Sequence, residues 1–131
     1  MIKSARFVLF CFVLFFIFHV TFLFFGNYSY SWIDYLMHLS LGVISSVLFF
    51  FLFNNFLGER DHYSAEKIKI ITMSISFASF MGIIWETHEF FFSNFFSNYI
   101  QRSVESITYD LLFVILGALI VSIPIVYKKI N

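Results

Sequence analysis

Four long apolar runs separated by short polar segments dominate the chain, and this pattern predicts its architecture. A helix needs about 20 mostly apolar residues to cross the hydrocarbon core of a bilayer. The runs at 7–25, 35–53, 68–92 and 108–127 meet that requirement. Because the connections between them are short, we predict an all-α fold. Residues 1–131 would form a single transmembrane domain, an integral membrane four-helix bundle.

Composition supports a membrane protein over a soluble one. Only 12% of the 131 residues are charged, whereas a soluble domain carries about 25%. The chain also contains 22 phenylalanines, more than the small core of a soluble domain of this size can hide from water. The net charge is zero and no basic run occurs, which argues against nucleic acid as a partner.

The first apolar run follows Lys3 and Arg6 and could therefore open a signal peptide. Residues 7–25 are longer than the apolar region of a signal peptide, which is about 7–15 residues. No small-x-small cleavage site follows the run. We therefore expect a retained membrane helix.

Small residues recur every four positions on three of the predicted helices, and they lie beneath polar residues. Residues with that spacing share one helix face, and small ones let two helices approach closely in lipid. We interpret the small residues as packing positions. The sets are Asp34, His38, Gly42 and Ser46, then Ser74, Ala78, Gly82 and Glu86, and more loosely Ser106, Asp110, Gly117 and Ala118.

The ionisable residues inside the predicted spans fall at one depth, toward one face of the bilayer. A charge at the centre of a membrane helix costs about 2.5–3.5 kcal/mol on insertion scales, and such groups usually face a bundle interior or a water-filled cavity. We predict that five side chains converge and line one cavity open to the outer leaflet. They are Asp34, His38, Glu86, Glu89 and Asp110.

Carboxylates combined with an imidazole are suitable ligands for a divalent metal ion, here Zn, Mn or Fe. All five residues are therefore candidate metal ligands, and Glu86 and Glu89 are also candidate catalytic residues. A metal held there could activate water at a lipid headgroup. Without a cation, the carboxylates would need a shared proton or pairing with His38 or Arg102.

Each residue also has an ordinary structural explanation. Asp34 could cap the second helix. Asp110, in the first turn of the predicted fourth helix, could interact favourably with the positive end of the helix dipole. The two glutamates lie about one turn from the membrane edge and could reach water. His19 is better explained as a packed polar residue than as a ligand, and His88 points away from Glu86. We assign both tryptophans to the aromatic belt at the interface.

Three motifs along the chain resemble those of the VanZ-like and YjdF-like membrane proteins. The first is an Asp-x-x-x-His motif followed by a glycine. The second is a Glu-x-x-Glu pair behind a tryptophan, and the third is an aspartate followed by a glycine and preceded by an arginine. Their residues here are Asp34, His38, Gly42, Trp85, Glu86, Glu89, Arg102, Asp110 and Gly117. Val114 departs from the pattern, which has Asp or Asn at that position.

The VanZ-like group is linked with glycopeptide-antibiotic resistance and with cell-envelope functions. The resemblance therefore implies a multi-pass protein of a bacterial inner membrane. Membrane lipids, a lipid-linked envelope intermediate or another membrane protein would be its partners.

Three functions remain open from the sequence. The first is a metal-dependent site that acts on or binds an envelope lipid. The second is a non-catalytic membrane subunit or regulatory binding module. The third is a small ion or proton pathway, which ranks last because the inner halves of the helices offer mainly Ser, Gly and Ala.

Lysine and arginine predict the orientation of the bundle. With the N-terminus inside, seven basic residues are cytoplasmic and one is outside, a strong positive-inside bias. The seven are Lys3, Arg6, Arg60, Lys67, Lys69, Lys128 and Lys129, and the outer one is Arg102. Both termini are therefore expected in the cytoplasm.

This orientation can be tested by cysteine labelling. An impermeant thiol reagent added from outside should react with a cysteine placed at Ser97 and should not reach one placed at Ala65. The reverse pattern would overturn the orientation.

Overall fold

The computed structural model describes residues 5–24, 31–57, 67–95 and 104–128, with side chains placed at 5–21, 32–55, 67–91 and 104–128. These residues form four α-helices: α1 (Ala5–Phe24), α2 (Ser31–Leu57), α3 (Lys67–Phe95) and α4 (Val104–Lys128). The prediction of an all-α membrane bundle is confirmed. Arg102 and the labelling positions Ala65 and Ser97 lie outside the described residues.

All four helices extend beyond the spans predicted from hydropathy, α1 by two residues at its start. α2 begins at Ser31 and α4 at Val104, each four residues earlier than predicted, and α3 continues to Phe95. A helix ends where its terminal backbone groups find other partners, and this point need not coincide with the edge of an apolar run. Asp34 therefore lies within the first turn of α2 and is not its cap. Asp110 is the seventh residue of α4, so the prediction that it lies in the first turn is wrong.

The length and apolar surface of the helices suit a membrane. α2, α3 and α4 each contain a stretch long and apolar enough to cross a bilayer. The 20 residues of α1 extend for about 30 Å, which matches the hydrocarbon core. Large apolar side chains on the outer faces are exposed, among them Leu9, Phe10, Phe80 and Leu112. In lipid these faces need no protein cover.

The contacts between helices give their relative directions. His38 of α2 meets Glu86 of α3, whereas Ser46, two turns further along α2, meets Ser74, three turns earlier on α3. α2 and α3 are therefore antiparallel. His38 also lies near Asp110 of α4, and Gly42 lies against Val114. α2 and α4 consequently run in the same direction.

The backbones of α2 and α4 touch directly at two glycines. A Cβ atom added at Gly42 would collide with the backbone carbonyl of Val114. A Cβ added at Gly117 would collide with the backbone carbonyl of Leu39. Neither helix can carry a side chain at its contact point, so the two glycines set the spacing and the register of this pair.

α3 completes the three-helix core through its small-residue face. Ser74 and Ala78 are fully buried, and Gly82 packs against the side chains of Leu111 and Val114. An apolar layer of Leu41, Ala78, Val114 and Ala118 fills the centre. α1 lies to one side and reaches the core through Phe15, whose ring packs on Trp85 with 5.2 Å between centroids.

Hydrogen bonds between serines join the three core helices below that layer. Ser74 of α3 lies 3.1 Å from Ser46 of α2 and 2.9 Å from Ser122 of α4, measured between hydroxyl oxygens. All three serines are fully buried. Such bonds between membrane helices contribute about 0.6 kcal/mol on average. The sequence predicted no role for Ser122, and the feature that could have indicated one is its spacing of four residues from Ala118.

The direct backbone contact predicts a graded response to alanine. Gly42→Ala and Gly117→Ala should each lower the free energy of unfolding by about 2–3 kcal/mol, because a backbone carbonyl cannot yield to the new methyl group. Unfolding of the detergent-solubilised protein measures this effect.

Gly82→Ala is the matched control for this experiment. Its methyl group would meet the flexible side chain of Leu111 at 3.1 Å, and alanine also gains about 1 kcal/mol of helix propensity over glycine. We expect this variant to be nearly as stable as the wild type. Equal losses from all three substitutions would contradict the close α2–α4 contact.

Candidate functional site

The five predicted side chains come together at one end of the three-helix core. α2 contributes Asp34 and His38, α3 contributes Glu86 and Glu89, and α4 contributes Asp110. The register set by the two glycines places His38 and Asp110 at one level, because His38 lies one turn above Gly42 and Asp110 one turn above Val114. We call these five residues the acidic–histidine cluster.

The imidazole of His38 occupies the centre of the cluster. Its Nε2 atom lies 2.8 Å from Oε1 of Glu86. Its Nδ1 atom lies 3.5 Å from a carboxylate oxygen of Asp34 and 3.6 Å from one of Asp110. A single ring thus contacts carboxylates from all three core helices.

A backbone contact determines which ring nitrogen of His38 carries a proton. Nδ1 lies 3.0 Å from the backbone carbonyl oxygen of Asp34, one turn earlier on α2. A carbonyl oxygen only accepts hydrogen bonds, so Nδ1 must be the donor. In a neutral ring, Nε2 then presents a lone pair toward Glu86.

The cluster is mostly buried. His38 and Asp110 are 1% and 0% exposed, and Glu89 and Asp34 are 4% and 6% exposed. Glu86 keeps 12% of its side chain accessible. The side chains point into the bundle, and the opening of a cavity toward the outer leaflet stays a prediction. Glu86 is the most accessible member of the cluster.

Two overlapping sets of three residues have the spacing of metal ligands. Asp34, His38 and Glu89 form one set, and His38, Glu86 and Asp110 form the other. Within each set, the potential ligand atoms lie within 4.8 Å of one another. The arrangement offers one imidazole nitrogen and several carboxylate oxygens to a bound cation.

Two histidines near the cluster belong to a separate aromatic group between α1 and α3. The His19 ring packs edge-on against Trp85 with 4.4 Å between centroids, and His88 lies 5.5 Å from the same indole. His19 is 3% exposed. Trp85 is therefore half-buried and packs between α1 and α3, while its assignment to the aromatic belt stays a prediction. Trp32, by contrast, is 59% exposed.

The sequence matches a family described as predicted membrane protein (DUF2238) over residues 2–129. The chain belongs to this family. Membership in DUF2238 establishes a membrane protein and does not extend to the VanZ-like group specifically. No curated protein and no solved structure matches the chain significantly.

Proposed function

We propose that this DUF2238 protein binds a divalent cation in the acidic–histidine cluster and uses it to bind or act on a lipid, or a lipid-linked intermediate, of the cell envelope. The contact between His38 and Glu86 is the observation that carries the proposal. Hydrogen bonding, the orientation of the His38 ring and the charge of the cluster each support a bound cation.

The first reason is the geometry of two buried polar atoms. Nε2 of His38 and Oε1 of Glu86 are 2.8 Å apart, and in a neutral ring no proton lies between them because Nδ1 carries it. Burial of a polar group without a hydrogen bond is costly. A cation bound to both atoms would remove that cost, since neighbouring ligands about 2.0–2.1 Å from an octahedral ion lie about 2.8–3.0 Å from each other.

The second reason is the support given to the ring. Metal-binding histidines almost always donate their other N–H group to a carboxylate or to a backbone carbonyl, which fixes the tautomer and the ring orientation. His38 has this arrangement, since Nδ1 is held by the carbonyl of Asp34. The ring is thus prepared to offer Nε2 to a cation.

The third reason is the charge around the cluster. Four carboxylates meet one imidazole in a medium that screens charge weakly. Among the described residues, the lysines and the arginine lie at the far ends of their helices: Arg6, Lys67, Lys69 and Lys128. These positive side chains are distant from the cluster along the helices, whereas a divalent cation in the cluster would lie directly beside the carboxylates.

The donor atoms favour Mn or Fe over Zn. Structural zinc sites are rich in Cys and His, whereas sets dominated by carboxylates suit harder ions. Glu86 is the candidate for contact with a bound lipid group because part of its side chain is accessible. Glu89 is 4% exposed and is better placed to hold the cation.

The resemblance to the VanZ-like proteins supports an envelope lipid as the partner. Val114, the residue that departs from their pattern, lies in the apolar layer one turn below Asp110. The five residues of the cluster all lie above this layer, so their arrangement does not depend on an acid or amide at position 114.

An ion or proton pathway is disfavoured by the interior below the cluster. The layer of Leu41, Ala78, Val114 and Ala118 separates the cluster from the serines. Below the serines, Phe49, Phe50, Ile70 and Val126 form a second apolar cluster. The described residues therefore provide no continuous polar route across the bundle.

Metal analysis of the purified protein tests the proposal. The wild type should retain Mn or Fe, and chelation should lower its melting temperature because a ligand of the folded state stabilises that state. Glu86→Gln should reduce the metal content at least tenfold, and Glu86→Gln combined with Glu89→Gln should abolish it. Glu105→Gln is the control, since Glu105 is an exposed acid in the first turn of α4.

A folded wild type that holds no metal and does not respond to added Mn or Fe would overturn the proposal. A proton shared between His38 and Glu86 would then account for their contact. If metal is retained without any activity on lipids, the protein is a non-catalytic binding module.

A further inference from the structure

A groove separates α1 from α2 on the side of the bundle that faces away from α4. Its volume is about 420 Å³, within the range of about 300–1,000 Å³ that is typical of ligand sites. Cys11, Leu14 and Phe18 line it from α1. Leu36, Ser40 and Ile44 line it from α2.

On its α2 side, the groove is about as long as one bilayer leaflet is thick. On α2 its lining extends from Trp32 to Ile44, a rise of about 18 Å along the helix. Half of the hydrocarbon core is about 15 Å thick. A membrane helix of a partner protein would pass well beyond both ends, whereas a lipid tail would end inside.

The lining offers a ligand no charge and no free hydroxyl group. Its serine, Ser40, already donates a hydrogen bond of 2.8 Å to the backbone carbonyl of Leu36. The groove is continuous with the lipid-facing surface of the bundle, since Leu14, Phe18 and Leu36 are 41%, 50% and 50% exposed. Lipid tails in the membrane therefore have direct access to it.

The upper end of the groove lies at the level of the acidic–histidine cluster. Ile33 and Met37 line the groove, and each immediately precedes a cluster residue, Asp34 or His38. The exposed Trp32 stands at the end of the groove toward the membrane surface. A lipid with its tail in the groove would thus have its headgroup beside the cluster end of α2.

We propose that the α1–α2 groove binds one hydrocarbon tail of the lipid on which the protein acts. The role of that lipid as the substrate rests on the proposed function, whereas binding of the tail depends only on the groove. We call the groove with its bound tail the tail-binding site. The lipid belongs to the leaflet on the cluster side, because the upper end of the groove lies at the level of the cluster.

Photolabelling tests the tail-binding site directly. The full chain is reconstituted in liposomes of phosphatidylcholine with a trace of phosphatidic acid that carries a diazirine in one tail, and adducts are mapped by mass spectrometry. Labelling at Cys11, Leu36 and Ser40 should exceed labelling at the exposed Leu112 of α4 at least fivefold. Leu112 is a suitable reference because it lies at the depth of Ser40 on another lipid-facing surface.

Two variants distinguish binding of the tail in the groove from binding of metal in the cluster. Ser40→Trp should fill the groove and lower its labelling at least fivefold while the metal content stays unchanged, and Leu112→Trp should leave both unchanged. Glu86→Gln should lose metal and keep the tail adducts in the groove.

Labelling spread over α1, α2 and α4 in proportion to the exposed fraction of each side chain would overturn the tail-binding site. The proposal of a bound metal would be unaffected. Groove labelling in a protein that binds no metal would support the tail-binding site and remove the proposed role of the lipid as the substrate. Because the wild-type map alone distinguishes these results, the test holds even if Ser40→Trp fails to fold.

Discussion

The contact between the backbones of α2 and α4 is the constraint on which the site depends. Gly42 faces the carbonyl of Val114, and Gly117 faces that of Leu39. One turn above this contact, the same register places His38 3.6 Å from Asp110. In lipid, helices gain little from the hydrophobic effect when they associate, so close packing and polar contacts must hold them together. The two glycines provide the packing, and that packing brings the charged residues to one level.

The interior is divided by depth, and each layer has a distinct composition. The acidic–histidine cluster forms the top, an apolar layer follows, and the three bonded serines lie beneath it. Phe49 and Phe50 belong to the apolar cluster at the other end. α1 stands apart from this three-helix core, and its looser packing on α2 leaves the groove. Charged groups thus stay at one end of the core, while the membrane reaches the bundle along its side.

Hydropathy and spacing predicted the four helices and the convergence of the cluster, because both depend on patterns within single helices. Asp34 and His38 share a face at a spacing of four residues, and that relation holds wherever the helix begins. The helix starts at Ser31 and Val104 were missed because α2 and α4 continue beyond their apolar runs. The packing of Trp85 on His19, the bond from Ser122 and the groove were also missed. These features arise between helices, and one sequence does not encode contact partners in a readable pattern.

Packing and cation binding should be thermodynamically coupled in this bundle. The proposed ligands come from three helices, so a cation would bind them together only when those helices are associated, and its binding free energy would add to the stability of the bundle. A change at Gly42 would then weaken cation binding although Gly42 contacts no proposed ligand atom. On the proposal, the helix contact and the bound cation would stabilise each other, whereas α1, which contributes no residue to the cluster, forms one wall of the groove.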